Sequence, residues 1–200
     1  MSVAEPWLRG TLTDVAAVPR AVLHALELAK EDVEKWCARL SDEELNAQPA
    51  GIAPVAFHLR HIARSLDRLL TYAEGRELDE VQFAARKTEL DGEARCEAVF
   101  EEFALAIEKS AARVRELASE DFEAARFVGK QRLPTTLGGL LVHVADHTQR
   151  HVGQAIVTAK IVLAQRGLIR GKFFGRRGLG YTASGWRTDS WRLPRVFCSF

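Results

Sequence analysis

His143-Val144-Ala145-Asp146-His147-Thr148-Gln149-Arg150-His151-Val152-Gly153-Gln154 is the stretch whose reading decides the fold. Its apolar positions recur at helical spacing, and its histidines at 143, 147 and 151 stand four residues apart. On a helix that spacing stacks side chains on one face. At about 100° per residue, Leu140, Val144, His147, His151, Ala155 and Val162 share roughly one quadrant. Two imidazoles therefore occupy the stripe that packs into a core. Buried polar groups need partners, and one divalent cation answers both rings at once. The alternative, two ordinary core histidines, requires a separate hydrogen-bond partner for each. Zinc, nickel, iron and manganese all accept imidazole, so ligand type does not choose among them.

Working outward, the rest of the body also reads as helix. Val18, Val22, Ala25, Ala29, Val33, Trp36 and Leu40 mark a first helix over about 18–40. Ser41-Asp42-Glu43-Glu44 has the form of a capping box, and Pro49, Gly51 and Pro54 punctuate a loop. A second long helix runs from about Pro54 to Ala73, and Gly75 stops it. Residues 76–90 form a longer connection with one helical turn around Val81–Ala85, long enough to cross the end of a bundle. Asp91 is placed to cap a third helix from Gly92 to about Leu117, and Pro134-Thr135-Thr136 opens the fourth, which runs to about Leu163. No alternating strand of convincing length is visible. Four amphipathic helices predict an all-α four-helix bundle.

Composition sets the outer limits. Two hundred residues with 47% hydrophobic and 28% charged side chains describe one ordinary globular domain. No apolar run approaches the ~18 residues of a membrane span, and no signal-like block opens the chain, so a cytoplasmic location without membrane contact is expected. Cys37, Cys96 and Cys198 lack CxxC spacing and read as free thiols. Charge is unevenly spread. Residues 166–200 carry a net +7 and six glycines, leaving −6 on residues 1–165 of a chain whose total is +1. That shift divides a bundle domain, 1–166, from a basic, glycine-rich tail, 167–200, expected to be poorly ordered. An acidic body argues against a specific nucleic-acid interface, and the tail has no base-reading motif.

A catalytic metal needs a third ligand, and the second helix offers His58 and His61. Helical phase favours His58, nearer the centre of the stripe formed by Val55, Leu59, Ile62, Leu66 and Leu69. His61 sits about 120° away, and spacing leaves the choice open. His143 shares the His147 face but lies two turns, about 12 Å, from His151, so it reads as a neighbour of the site. His24 on the first helix reads as a surface or partly buried residue.

Two segments carry a family resemblance. Pro54-Val55-Ala56-Phe57-His58-Leu59-Arg60-His61-Ile62-Ala63 and His147-Thr148-Gln149-Arg150-His151-Val152-Gly153-Gln154 resemble the second-helix and fourth-helix patterns of the DinB-like (DinB/YfiT) superfamily of bacterial metal-binding bundles. Val152 stands where that family usually has arginine, and Arg150 keeps a positive charge close by. The likeness covers roughly residues 12–165, and the tail departs from it. The resemblance implies His61, His147 and His151 as metal ligands, which settles His61 over His58. Several relatives are thiol-dependent transferases or isomerases using bacillithiol, mycothiol or glutathione. It therefore implies a divalent-metal-dependent S-transferase acting on a low-molecular-weight thiol and an electrophile. The alternatives are a metal-dependent hydrolase and a non-catalytic metal-binding stress protein.

Within that reading Arg64 and Arg150 are candidates for steering an anionic thiol, and no catalytic residue is singled out. Gln154 and Asp67 are candidates for hydrogen bonds that orient the ligands, and Asp146 is expected to be exposed. The family often forms homodimers. Leu23 and Leu26, read as exposed on the first helix, are compatible with that.

Overall fold

The computed structural model describes residues 4–174, with residues 167–174 by backbone alone. Four long helices dominate: α1 (Ala17–Cys37), α3 (Val55–Ala73), α5 (Cys96–Glu116) and α6 (Leu137–Phe174). Between them lie the short helices α2 (Asp42–Leu45) and α4 (Glu80–Lys87) and an antiparallel hairpin, β1 (Ala125–Val128) with β2 (Leu133–Thr136). The all-α bundle expected from the periodicity is the architecture found.

Side-chain contacts give the direction of each helix. Gln149 Nε2 donates to the Ala25 carbonyl at 2.7 Å, and Lys160 Nζ lies 4.0 Å over the Trp36 ring, so α1 and α6 run parallel. His58 meets His151 and His61 meets His147, so α3 runs against α6. Arg64 bonds Glu102 and Arg113 bonds Glu74, so α3 and α5 run the same way. Each of α1 and α3 packs against both α5 and α6. The order is therefore up-down-down-up.

A parallel α3–α5 pair obliges the connection between them to travel back along the bundle. Gln82 reaches Asp67, Ala85 and Thr88 receive Arg64, Glu89 meets His61, and Asp91 receives Arg60. The partner numbers on α3 fall as the segment advances. This return strap carries Glu89 to the histidines.

Several ends are set by side chains. The Ser41–Glu44 capping box at α2 is present, with both reciprocal bonds made. Gly75, at φ +76°, ends α3 in a Schellman turn, its N–H on the Tyr72 carbonyl and that of Arg76 on Thr71. Asp79 and Gln82 make a second capping box at α4, which is longer than the single turn expected.

The start of α5 corrects the sequence reading. Asp91 is not its cap. Asn46 bonds the Ala94 N–H at 3.2 Å and its carbonyl at 2.7 Å, and Glu93 sits at φ +62°. That anchored, non-helical stretch delays the helix to Cys96, whose N–H is taken by the Asp42 carboxylate at 2.7 Å.

The hairpin corrects the expectation of no strand. Each strand is only four residues long, too short for alternation to stand out. Leu133–Thr136 is extended, and Thr136 Oγ1 caps α6 by accepting from the Gly139 N–H at 3.1 Å. The fourth helix continues past Leu163 and Gly167 to Phe174, and the rest of the expected tail lies outside the described residues.

The core is one cluster fed by all four long helices, including Val22, Leu26 and Val33, Leu59, Ile62 and Leu66, Val99 and Phe103, and Leu141, Val144 and Ala155. Burying one such Leu or Ile stabilises the fold by about 1.5–3 kcal/mol. Leu23 and Leu26 belong to this core rather than to the surface, so neither is available to a second copy. They lie beside Val22 and Ala29, and the packing of α1 against two helices widens its apolar face. His24 is also buried, its Nε2 3.1 Å from Thr11 Oγ1. Among the described residues no helix is long and apolar enough to cross a membrane.

Candidate metal centre

His61 on α3 and His147 and His151 on α6 turn their rings towards one another across the antiparallel seam. Ring centroids are 5.0 Å apart for His61 and His147, 4.4 Å for His61 and His151, and 4.7 Å for His147 and His151. One ring nitrogen from each lies within 4.8 Å of the others, a group able to hold a metal ion, and it contains no fourth donor among the described residues.

Hydrogen bonds orient each ring. His61 Nδ1 lies 2.7 Å from Glu89 Oε2, and its Nε2 lies 3.2 Å from His147 Nε2. Glu89 is buried, at 6% exposure, and its other oxygen accepts from Arg68 Nη1 at 2.9 Å. Arg68 Nη2 donates to Ser65 Oγ at 3.0 Å, and that hydroxyl lies 3.3 Å from His61 Nε2. His58, more deeply buried than His61, places its Nδ1 3.1 Å from His151 Nδ1.

Electrostatics keep most of these rings neutral. Burial, helped by the neighbouring His61, holds His58 down at about 4. Burial with His61, His143 and two arginines holds His147 at about 4. Burial and the crowd of His61, His147 and His58 push His151 to about 3. Glu89 titrates below the usual carboxylate range. Burial opposes ionisation there, but the His61 hydrogen bond and the Arg68 guanidinium outweigh it.

The donor set fits a metal. Neutral imidazole is the ligating form, and His147 and His151 are held in it at neutral pH. Nitrogens held about 2.0–2.1 Å from a tetrahedral ion stand about 3.3 Å apart. The His61–His147 separation matches that spacing.

The other sequence candidates are placed as follows. His143 is exposed, its ring centroid 5.5 Å from that of His147, and it stays outside the three-nitrogen group. Arg64 is engaged elsewhere: Nε bonds Glu102 at 2.7 Å, while Nη1 bonds the Ala85 carbonyl and Thr88. Arg150 is exposed on α6, paired with an equally exposed Asp146, and near enough to help depress His147 and His151. Gln154 is exposed, and Asp67 binds Arg113 and Gln82, so neither orients a ligand. Those roles fall to Glu89 and His58. Glu89 sits in an irregular connection with no periodicity to flag it. A carboxylate some 28 residues beyond His61 carries no local signal.

The geometry repeats the two segments that carried the resemblance, and a direct comparison agrees with it. The family model of the DinB superfamily matches residues 25–155. The chain belongs to the DinB superfamily. The matched span includes α3, the return strap, and α6 through the histidines, so the DinB assignment covers every residue of the site. No curated protein and no solved structure matches the chain.

Proposed function

We propose that this DinB protein holds a divalent metal through His61, His147 and His151 and uses it to activate a low-molecular-weight thiol for transfer to an electrophile. The observation that carries this reading is the convergence of three ring nitrogens with no fourth donor in the group among the described residues. A site of that form leaves a coordination place for an incoming molecule. A divalent ion bound there would supply Lewis acidity and favour the ionised form of a thiol brought to it.

The chain's own residues prepare the site. Burial keeps His147 and His151 unprotonated, so they do not repel a cation at neutral pH. The chain's described thiols are poor nucleophiles. Burial pushes the Cys37 thiol up to about 12, and burial with Asp42 pushes Cys96 up to about 11. That favours a thiol arriving from outside. Arg150, exposed on the helix that bears two of the ligands, is the cation an anionic thiol carrier would meet. Arg64 has no part in this reading, because its Nε is held by Glu102 and its Nη1 by the Ala85 carbonyl and Thr88.

Consumption of an electrophile with bacillithiol, mycothiol or glutathione, with and without added zinc, nickel, iron or manganese, tests the proposal. Metal-dependent thioether formation that disappears in His151→Ala supports it. Hydrolysis without any thiol would move the function to a hydrolase. Metal binding with no turnover of either kind would leave a non-catalytic metal-binding protein.

A further inference from the structure

We infer that Glu89 is a positioning residue that fixes His61 as its Nδ1–H tautomer and leaves Nε2 bare for ligation. The inference deepens the proposed metal reading, yet its first test needs no metal.

The two nitrogens of a neutral imidazole are not equivalent: one donates and the other accepts. At His61 the partners differ in kind. Nδ1 faces a carboxylate, Glu89 Oε2, at 2.7 Å, and a carboxylate whose other oxygen is ion-paired with the Arg68 guanidinium at 2.9 Å is an acceptor only. The proton of a neutral His61 must therefore sit on Nδ1. Nε2 then carries the lone pair, and it is the nitrogen turned towards His147.

Arg68 makes the arrangement rigid. It donates to Glu89 through Nη1 and to Ser65 through Nη2, and so ties together the groups on either side of the His61 ring. With its oxygen accepting from Arg68, the Ser65 hydroxyl is free to donate towards His61 Nε2 at 3.3 Å. That weak bond satisfies the bare nitrogen without protonating it. Three of these four residues lie on α3, and the fourth arrives on the return strap. The strap thus does more than join two helices: it selects which nitrogen of His61 faces the seam.

Long-range proton–nitrogen NMR on the metal-free full chain near pH 7.5 reads the tautomer directly. The expected result is a neutral His61 with its proton on Nδ1. A proton on Nε2, or on both nitrogens, overturns the inference. Zinc titration then compares the native chain with Glu89→Gln, which keeps an acceptor, and Glu89→Leu, which does not.

Glu89→Leu should bind zinc about 10- to 100-fold more weakly, with Glu89→Gln in between. Equal affinity in all three would overturn the role. Circular dichroism checks that each variant is folded, and should Glu89→Leu fail to fold, the native tautomer and Glu89→Gln still decide. If the native chain binds no zinc while His61 holds its proton on Nδ1, the inference stands and the metal reading falls.

Discussion

The Nδ1 atoms of His58 and His151 face each other at 3.1 Å, so one ring donates its proton and the other accepts it. When His151 is the donor, its Nε2 is left with a bare lone pair. His58 then acts on the site without belonging to the three-nitrogen group. His58→Ala is expected to lower stability by about 1–3 kcal/mol, through a lost buried ring and an orphaned partner. It should also weaken zinc binding about tenfold, whereas His151→Ala should abolish it. Denaturant melts and zinc titrations on both variants check the contrast.

Acid should destabilise the metal-free chain. His58 and His147 titrate at about 4 and His151 at about 3, chiefly through burial, well below the ordinary value near 6.5. As pH falls through about 6.5 the unfolded chain takes up protons that the folded chain refuses. The stability these rings provide is therefore full above that pH and is lost progressively down to about 4. A loss on the order of 2 kcal/mol between pH 7 and pH 5 is expected, after allowance for partial solvent exposure. Urea melts at pH 7, 6 and 5 measure it. A flat profile would mean the rings are not held neutral.

Arg64 and Arg68 stand one turn apart on α3 and should behave differently. Arg64 fastens α3 to α4 and to Glu102, so Arg64→Ala is expected to cost about 1–2 kcal/mol in stability. Its zinc affinity should stay within about threefold of the native value. Arg68→Ala releases Glu89 and Ser65 and should weaken zinc binding by about tenfold. A tenfold loss in Arg64→Ala would return that residue to the site.

How much was legible in the sequence follows from where each signal lives. Helical period is local, so the four long helices were visible, as was the pairing of His147 with His151 one turn apart. Phase pointed to His58, and His58 is indeed the more buried ring, but the site lies where the α3–α6 seam meets solvent. His61 stands on that edge, and a family pattern was needed to prefer it. Glu89, Arg68 and Ser65 escaped notice because their meaning depends on a strap folding back along α3. The α5 start was misplaced for a similar reason, since its cap comes from Asp42, far away in sequence.

The basic tail is a separate matter. Arg166, the last described side chain, is clamped onto Glu44 and the Arg39 carbonyl, and the Arg166 contact holds the Glu44 carboxyl down at about 2. A chain ending after Phe174 should therefore keep this anchor, fold normally, and bind zinc with native affinity. Loss of zinc binding on that truncation would show that the remaining residues reach the site.

Zinc titration of the untagged full chain, beside His61→Ala, His147→Ala and His151→Ala, probes the shared site most directly. One zinc per native chain, with affinity lost in each single variant while its helical content is kept, is the expected result. Native binding that survives all three replacements, or no binding at all, would contradict a cation held between α3 and α6.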